Sequence, residues 1–150
     1  MRLSARLLLL VICAASFAGC SLPEKRMRVE RFLAGHYDAV RQRDTEGILS
    51  MYGEQFFAAT PREVWREKLS AVERELGPMQ SFELRGWNLE ALPNGDAYTF
   101  VYRVRYARQE AEEKLTVHQP PGGGALRIVG HLIHYDDPED EPSQRPRRSS

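Results

Sequence analysis

"AYTFVYRVRYAR", residues 97–108, is the stretch that decides the fold, because its apolar residues recur at every second position. A period of two is typical of a β-strand, in which successive side chains point to opposite faces. One face of this strand is apolar and the opposite face is mostly polar. The apolar face is made of Tyr98, Phe100, Tyr102, Val104 and Tyr106. We therefore expect the strand to lie on a core with its aromatic face inward.

Three further strands are predicted around this one. Residues 93–96, Pro-Asn-Gly-Asp, are typical of a tight hairpin turn and join the strand to an earlier one over residues 79–92. Leu115 and Val117 mark a third strand, and after a loose glycine-rich turn residues 125–135 form a fourth. The second half of the chain therefore predicts four consecutive antiparallel strands.

The first half of the chain has the periodicity of helices. In residues 24–44 the apolar and aromatic positions recur at helical spacing and fall on one face. That face is made of Phe32, Leu33, His36, Tyr37 and Val40. Asp44 or Thr45 can then cap a short second helix.

A longer helix is predicted after Thr60, which we expect to be its N-cap. Pro61 would take the first helical position, and Glu63 would complete a capping box. Gly77 and Pro78 end the helix. The residues at helical spacing between these ends are Trp65, Leu69, Val72 and Leu76. Helices followed by strands predict an α+β domain, in which N-terminal helices pack on a curved four-stranded antiparallel sheet.

This order of elements resembles the nuclear transport factor 2-like, cystatin-like superfamily. It is similar in particular to small exported bacterial members of unknown function, whose helix has a tryptophan after its cap and ends in Leu-Gly. Trp65, Leu76 and Gly77 stand at those positions. The resemblance covers about residues 26–134 and implies a cone of helices and sheet, which is a ligand pocket in many relatives.

The beginning of the chain is typical of an export signal. Arg2 and Arg6 precede an apolar run, and small residues then lead to Cys20. The uncharged stretch, residues 7–19, is shorter than the roughly 20 residues that span a bilayer as a helix. We therefore predict a cleaved signal peptide, residues 1–19.

The sequence Phe17-Ala18-Gly19-Cys20 resembles the lipobox of bacterial lipoproteins, in which the signal peptidase cuts before a lipid-modified cysteine. The resemblance implies that Cys20 becomes the lipidated first residue, and Ser21 points to the outer membrane, with the protein facing the periplasm. Two acyl chains suffice for stable anchoring. The alternative is an ordinary secretory signal with an incidental cysteine.

The mature chain divides into three parts. Residues 20–25 are predicted to be a lipidated linker, residues 26–135 the nuclear transport factor 2-like domain, and residues 136–150 a disordered tail without aliphatic or aromatic side chains. Without the leader, 19 basic and 21 acidic side chains remain, which gives nucleic-acid binding no support. The mature domain also keeps no cysteine for a disulfide, a metal or a nucleophile.

Six residues are candidates for lining a pocket in the cone. An aromatic stripe on a strand is more often core, but several tyrosines would suit a small amphipathic ligand. Some relatives are isomerases or dehydratases, and the resemblance implies that His36 or Asp38 could act as a general base. The simpler interpretation is that these two residues are a boundary histidine and a solvated aspartate. The six candidates are His36, Tyr37, Trp65, Tyr98, Phe100 and Tyr102.

Three histidines in the second half of the chain suggest a metal site at first sight. His131 and His134 are three apart on a strand and point to opposite faces, unless a bulge intervenes at Gly130. His118 could approach one of them across the hairpin. We predict no metal, no cofactor and no catalytic residue, because the sequence lacks the phosphate-loop, Gly-x-Ser-x-Gly, Cys-x-x-Cys and His-Glu-x-x-His motifs.

These features together predict a non-enzymatic binding or assembly module of the cell envelope. Its partners would be the membrane, through lipid on Cys20, and either an envelope protein or a small amphipathic ligand. The resemblance also implies a homodimer through the open sheet face, near Arg103 and Arg105. The alternative is a small-molecule isomerase or hydrolase-like enzyme that uses the cone.

Overall fold

The computed structural model describes residues 22–136. The predicted signal peptide, the predicted lipidation site Cys20 and the predicted tail from residue 137 onward lie outside the described residues. Within residues 22–136, no helix is both long enough and apolar enough to cross a membrane.

Within the described residues four helices precede four strands, and the predicted α+β fold is confirmed. The strands form one antiparallel sheet in the order β1-β2-β3-β4, so each strand pairs with the next along the chain. The helices are α1 (Leu22–Gln42), α2 (Thr45–Ser50), α3 (Glu54–Ala59) and α4 (Arg62–Leu76). The strands are β1 (Met79–Leu92), β2 (Gly95–Tyr106), β3 (Glu110–Gln119) and β4 (Arg127–His134).

Helix α1 begins at Leu22 and so includes the last four residues of the predicted linker, residues 20–25. Pro23 is tolerated there because the first helical turn needs no backbone N–H at that position. Lys25 pairs with Asp96 at 3.1 Å, which ties this turn to the start of β2. The apolar periodicity of α1 starts only with the buried Val29. The sequence pattern therefore placed the beginning of the helix too late.

The cap of α2 is Asp44, one of the two predicted candidates. Its carboxylate accepts a hydrogen bond of 2.9 Å from the backbone N–H of Gly47. Arg43, between α1 and α2, has a φ of 58° and is the residue with positive φ, other than glycine, in the described chain. This left-handed residue turns the chain from one helix into the next.

The capping box predicted for α4 is wrong. Thr60 closes α3 instead, with its backbone N–H bonded to the Phe56 carbonyl at 2.9 Å. Pro61 takes the N-cap position without a side-chain hydrogen bond, and Glu63 pairs with Arg66. The reason is α3, a helix of six residues that the sequence pattern did not predict. The predicted end of α4 is confirmed, since Gly77 is its C-cap.

The aromatic face of β2 points into the core, as predicted. All five of its members are buried: Tyr98, Phe100, Tyr102, Val104 and Tyr106. The predicted hairpin turn is also confirmed, because Leu92 pairs with Gly95 and leaves Pro93 and Asn94 as a two-residue turn. The core thus lies between this face of the sheet and the helices.

The connection between α2 and α3 adds a short parallel pairing to the edge strand β4. Gly53 donates its N–H to the Ile128 carbonyl at 2.9 Å, and the Ile128 N–H donates to the Met51 carbonyl at 3.0 Å. Tyr52 and Ile128 form the bridge between them. This pairing covers part of the open edge and brings Tyr52 beside the inner face of β4.

Candidate functional site

A buried polar cluster lies in the core between the helices and the inner face of the sheet. At its centre is Glu113 on β3, which is 2% exposed. Residues of β3 alternate between buried and exposed, so the period of the strand places Glu113 at an inward position between Ala111 and Leu115. The members of the buried polar cluster are His36, Tyr37, Tyr52, Tyr106, Glu113 and His131.

Both carboxylate oxygens of Glu113 accept hydrogen bonds. Tyr106 donates its hydroxyl to Oε1 at 2.6 Å, and Tyr37 donates its hydroxyl to Oε2 at 3.2 Å. His131 lies with Nε2 3.2 Å from Oε2, and its Nδ1 is 2.7 Å from the Tyr52 hydroxyl. A proton on Nε2 of His131 satisfies both of its contacts, since Nε2 then donates to Glu113 and Nδ1 accepts from Tyr52.

The electrostatics of the buried polar cluster keep Glu113 ionised. Burial alone raises the pKa of this carboxyl, but the hydrogen bonds from His131 and Tyr106 outweigh burial, so the pKa is lowered. Burial also raises the pKa values of Tyr37, Tyr52 and Tyr106 well above the usual value for tyrosine. These three hydroxyls therefore stay protonated and act as permanent hydrogen-bond donors.

His36 differs from the other members because its ring lacks polar contacts. It is fully buried, and neither Nδ1 nor Nε2 has a hydrogen-bond partner among residues 22–136. Its ring contacts Tyr37, Tyr52 and His131 edge-on, with centroid separations of 5.3, 6.0 and 5.6 Å. Burial lowers its pKa to about 3, helped by His131 and opposed by Glu113, so the ring is neutral at pH 7.

A small cavity adjoins His36. The space inside it that water can reach is about 70 Å³. Pockets for drug-sized ligands have about 300–1,000 Å³, so this cavity suits a molecule of only a few non-hydrogen atoms. Four members of the cluster, His36, Tyr106, Glu113 and His131, are among the residues that line it. Apolar side chains line much of the rest: Val40, Ile48, Leu69, Val72, Met79 and Ile133.

The Arg43–Glu73 ion pair marks where this cavity meets the surface. Both residues line the cavity, and their side chains, 65% and 44% exposed, approach to 2.5 Å. Arg43 is the left-handed residue that follows α1. The cavity thus runs from the buried His36 to a mouth at the end of α1.

Two of the six predicted pocket residues belong to the buried polar cluster. His36 lines the cavity, and Tyr37 donates to Glu113. The Tyr37 ring also stacks on Phe82, with ring centroids 4.3 Å apart, and is therefore part of the packed core as well.

The other four predicted pocket residues are not among those that line this cavity. Trp65 packs against Phe56 and His131, at centroid separations of 5.0 and 5.2 Å. Phe100 and Tyr102 stack along β2 at 6.2 Å, and the Tyr98 hydroxyl donates to Asp96 at 3.4 Å. These rings fill the cone, which leaves only a small part of its interior open.

The residues predicted as alternatives for chemistry lie apart from one another. Asp38 is exposed and accepts from Arg41 at 2.9 Å, so it does not enter the cone. His118 Nε2 is 3.0 Å from the Asn94 carbonyl oxygen, and His134 is exposed on the face opposite the buried His131. Across residues 22–136, no three or more His, Cys, Asp or Glu side chains are placed to hold a metal ion.

Glu113 was not among the residues predicted from the sequence, although one signal for it was present. Its position is inward by the alternation of β3, and an acidic residue at such a position must be paired or hydrogen-bonded in the core. The partners could not be named from the sequence, because Tyr37 is 76 residues away and His131 is 18 residues away.

The comparisons with known proteins bear on the fold. No protein-family model matches the sequence, and no curated protein matches it. Bd1075 from Bdellovibrio bacteriovorus is similar in structure, with a TM-score of 0.53 and 11% sequence identity over 75% of this chain. The chain spans 41% of the length of that protein.

A second similar structure is that of an NTF2-like protein of unknown function from Pseudomonas putida KT2440. The TM-score is 0.50 and the sequence identity is 18%. The match covers 71% of this chain and 83% of that one. The predicted nuclear transport factor 2-like fold is therefore confirmed, and at these identities the likeness shows the fold alone.

Proposed function

We propose that the protein is a non-enzymatic binding module of the bacterial cell envelope, anchored to the outer membrane by lipid on Cys20 and facing the periplasm. The resemblance of Phe17-Ala18-Gly19-Cys20 to a lipobox supports the anchor. The cavity beside His36 supports the binding role. The two parts of the proposal are independent and have separate tests.

The binding role rests on the buried His36 ring, whose two nitrogens have no hydrogen-bond partner among the described residues. Buried polar atoms in folded proteins are almost always hydrogen-bonded to protein, to ordered water or to a bound molecule, and we assign this partner to a molecule bound in the adjoining cavity. A neutral imidazole offers one donor and one acceptor. Because the rest of the wall is largely apolar, a small amphipathic molecule with a hydroxyl or amide group fits best.

A catalytic role is less well supported than binding. Glu113 already accepts hydrogen bonds on both oxygens, so neither oxygen is held ready for a substrate proton. His36, with a pKa of about 3, is a poor proton acceptor near neutral pH. Asp38 points to solvent and pairs with Arg41. These observations favour binding over the isomerase or hydrolase-like alternative.

The anchor is tested by expressing the full chain in a bacterial host and measuring intact mass and membrane partition. We expect the mature protein to lack residues 1–19, to carry diacylglyceryl mass and to sediment with membranes. Cys20→Ala should abolish all three properties, whereas Cys13→Ala, a matched change inside the leader, should leave them intact. An unmodified, unsedimented wild-type protein would contradict the anchor.

The binding role is tested with propionamide and 1-propanol as probes, using the NMR signals of the histidine rings. Millimolar probe should shift the His36 ring signals and leave those of the exposed His134 unchanged. His36→Phe should remove the response of neighbouring core signals, and His134→Phe should retain it. If no probe perturbs His36 at any concentration short of denaturation, the cavity is not a binding site.

A homodimer through the outer face of the sheet remains part of the proposal. Arg103 and Arg105 are exposed there and approach Glu110 of the same chain at 3.7 and 3.4 Å. Sedimentation equilibrium of the Cys20→Ala chain should give twice the chain mass, and Arg103→Glu should lower it. A monomer at all concentrations would exclude the dimer.

A further inference from the structure

Exposed apolar side chains are concentrated at one end of the described domain. Five large hydrophobic residues are exposed among residues 22–136, and three of them belong to the beginning of α1 or to the end of β1. These three are Leu22, Met27 and Leu92, which are 50%, 52% and 37% exposed. The other two are Val64 on α4 and Leu132 on β4.

Contacts along the chain show that these segments share one end of the molecule. Lys25 of α1 pairs with Asp96, which follows the β1–β2 turn. Arg28 of α1 donates to the Gly123 carbonyl, in the loop between β3 and β4, at 3.3 Å. The first turns of α1, the β1–β2 turn and the β3–β4 loop therefore lie together. We call this surface the N-terminal end face, comprising residues 22–31, 92–96 and 120–124 together with Trp87.

The N-terminal end face is hollowed on both sides of α1. One hollow, of about 280 Å³, is lined by Leu22, Pro23, Arg26, Met27, Glu30 and Trp87. The other, of about 530 Å³, lies between α1 and the two loops and includes Leu92, Pro93, Pro120 and Pro121 in its wall. Apolar surface is thus presented at several points of the same end.

The charge and side-chain types of this face are those of a membrane interface. The N-terminal end face holds four basic side chains, all on α1, and three acidic ones, Glu24, Glu30 and Asp96, whereas the mature chain as a whole has more acidic than basic ones. Arg26 lies over the ring of Trp87, 4.9 Å from its centroid. Tryptophan beside arginine suits the headgroup level of a bilayer, where the ring is partly desolvated and the cation meets anionic lipid.

The position of the proposed lipid anchor indicates that a membrane covers this face. Leu22 follows Cys20 by two residues, and two residues span at most about 7 Å. A lipid on Cys20 would therefore hold Leu22 next to the headgroups. We infer that the N-terminal end face lies on the surface of an anionic phospholipid bilayer, with Leu22, Met27 and Trp87 at headgroup level; this inference rests on the proposed lipidation of Cys20.

This orientation also determines how far the mouth of the cavity beside His36 lies from the membrane. Helix α1 has 21 residues, which corresponds to a length of about 30 Å at 1.5 Å per residue. Arg43 and Glu73, at the mouth of the cavity, lie beyond the far end of α1. The mouth is therefore separated from the N-terminal end face by about the length of α1, and we expect a ligand to enter from the aqueous side.

The experiment compares two matched dye positions on the lipidated full chain. Met27→Cys and Leu132→Cys each replace an exposed apolar residue, 52% and 67% exposed. Leu132 pairs with Lys114 on β3, and the five residues from Lys114 to Gln119 place it about 17 Å along the strand from the β3–β4 loop, whose residues 120–124 belong to the N-terminal end face. Each variant is labelled with an environment-sensitive dye and reconstituted into vesicles of phosphatidylethanolamine and phosphatidylglycerol that contain nitroxide-labelled phospholipid.

We expect the dye at residue 27 to shift to shorter wavelength and to be quenched several-fold more strongly than the dye at residue 132. Intact mass establishes lipidation in the same samples. If lipidated, vesicle-bound protein shows weak or equal quenching at both positions, the inference is overturned while the anchor stands, and a protein partner becomes the better occupant. If the diacylglyceryl mass is missing, the proposed anchor fails, and the inference fails with it.

Discussion

At the scale of single residues, Glu113 shows how a charged side chain is accommodated in a core. It receives hydrogen bonds from Tyr37 on α1, Tyr106 on β2 and His131 on β4. The free energy of burying the carboxylate is offset only while all three donors are in place. A change at Glu113 or at one of its donors therefore leaves buried polar groups without hydrogen-bond partners, which lowers the free energy of unfolding.

Glu113→Gln should lower the free energy of unfolding by about 3 kcal/mol, because the new amide group places N–H donors against the tyrosine and histidine donors. The neighbouring change Glu112→Gln is the matched control, since Glu112 is exposed on the opposite face of β3. We expect that control to stay within about 0.5 kcal/mol of the wild type. Urea unfolding measures both, and equal effects of the two changes would contradict the central role of Glu113.

The pKa of His36 predicts a pH dependence of stability. Its pKa falls from 6.5 in the unfolded chain to about 3 in the folded one, so below pH 6.5 the unfolded state binds a proton that the folded state does not. Stability should therefore decrease as the pH falls, by about 2 kcal/mol between pH 7 and pH 5. Glu113 adds little in this window, since its pKa is lowered from 4.5 and it stays ionised.

The variant His36→Phe isolates this effect, because it keeps a ring in the core and removes the titrating group. Its free energy of unfolding should change little between pH 7 and pH 5, whereas His134→Phe, at an exposed position, should behave like the wild type. Unfolding midpoints in urea at several pH values provide the measurement. Parallel pH profiles for the wild type and His36→Phe would rule out His36 as the source of the dependence.

At the scale of elements, two glycines in the helices have opposite roles. Gly77 ends α4 with a φ of 81° and a ψ of −174°, a conformation that is almost confined to glycine. A Cβ there would also lie 3.0 Å from the Cβ of Ala107. Gly35 is inside α1, and a Cβ there would meet no atom within 4 Å. The first glycine is required by the backbone, whereas the second only weakens its helix.

Gly77→Ala should therefore destabilise the protein by about 2 kcal/mol, and Gly35→Ala should stabilise it by about 1 kcal/mol. The two substitutions add the same methyl group, so each is the control for the other. Thermal unfolding followed by circular dichroism is sufficient, because the melting temperatures should move in opposite directions. If both melting temperatures rise or both fall, the assignment of Gly77 as the C-cap of α4 or of Gly35 to the interior of α1 is contradicted.

Most elements could be predicted from the sequence, because long periodic segments identify α1, α4 and the four strands. Helix α3 could not, since its six residues are shorter than two helical turns and two adjacent phenylalanines, Phe56 and Phe57, define no period. The same shortage of local information applies to the site. His36 was recognised as a candidate, but its surroundings depend on residues far away in sequence, such as His131.

At the scale of the whole molecule, the helices and the sheet share one core. Tyr52, between α2 and α3, contacts His131 of β4 79 residues later in the chain, and Trp65 of α4 packs on the same histidine. Neither the helices nor the sheet would keep this core closed without the other. The described domain is therefore expected to unfold in a single cooperative transition.

The variant Trp87→Phe tests this cooperativity, because it leaves Trp65 as the remaining tryptophan of the chain. Trp65 fluorescence reports the contact between α4 and β4, while far-ultraviolet circular dichroism reports all elements. The two signals should give the same urea midpoint and the same slope. Separate midpoints would mean that the helices and the sheet come apart independently.

The pairing of Tyr52 with Ile128 has a consequence for the timing of biosynthesis. The ribosome makes residue 52 long before residue 128, and until β4 emerges the nascent chain lacks both the bridge and the His131 partner of Glu113. The early helices and strands then have no closed core to join, so we expect the growing polypeptide to lack stable tertiary structure. If the chain is exported as proposed above, this delay would keep the polypeptide able to pass through a translocation channel until its last strand has been synthesised.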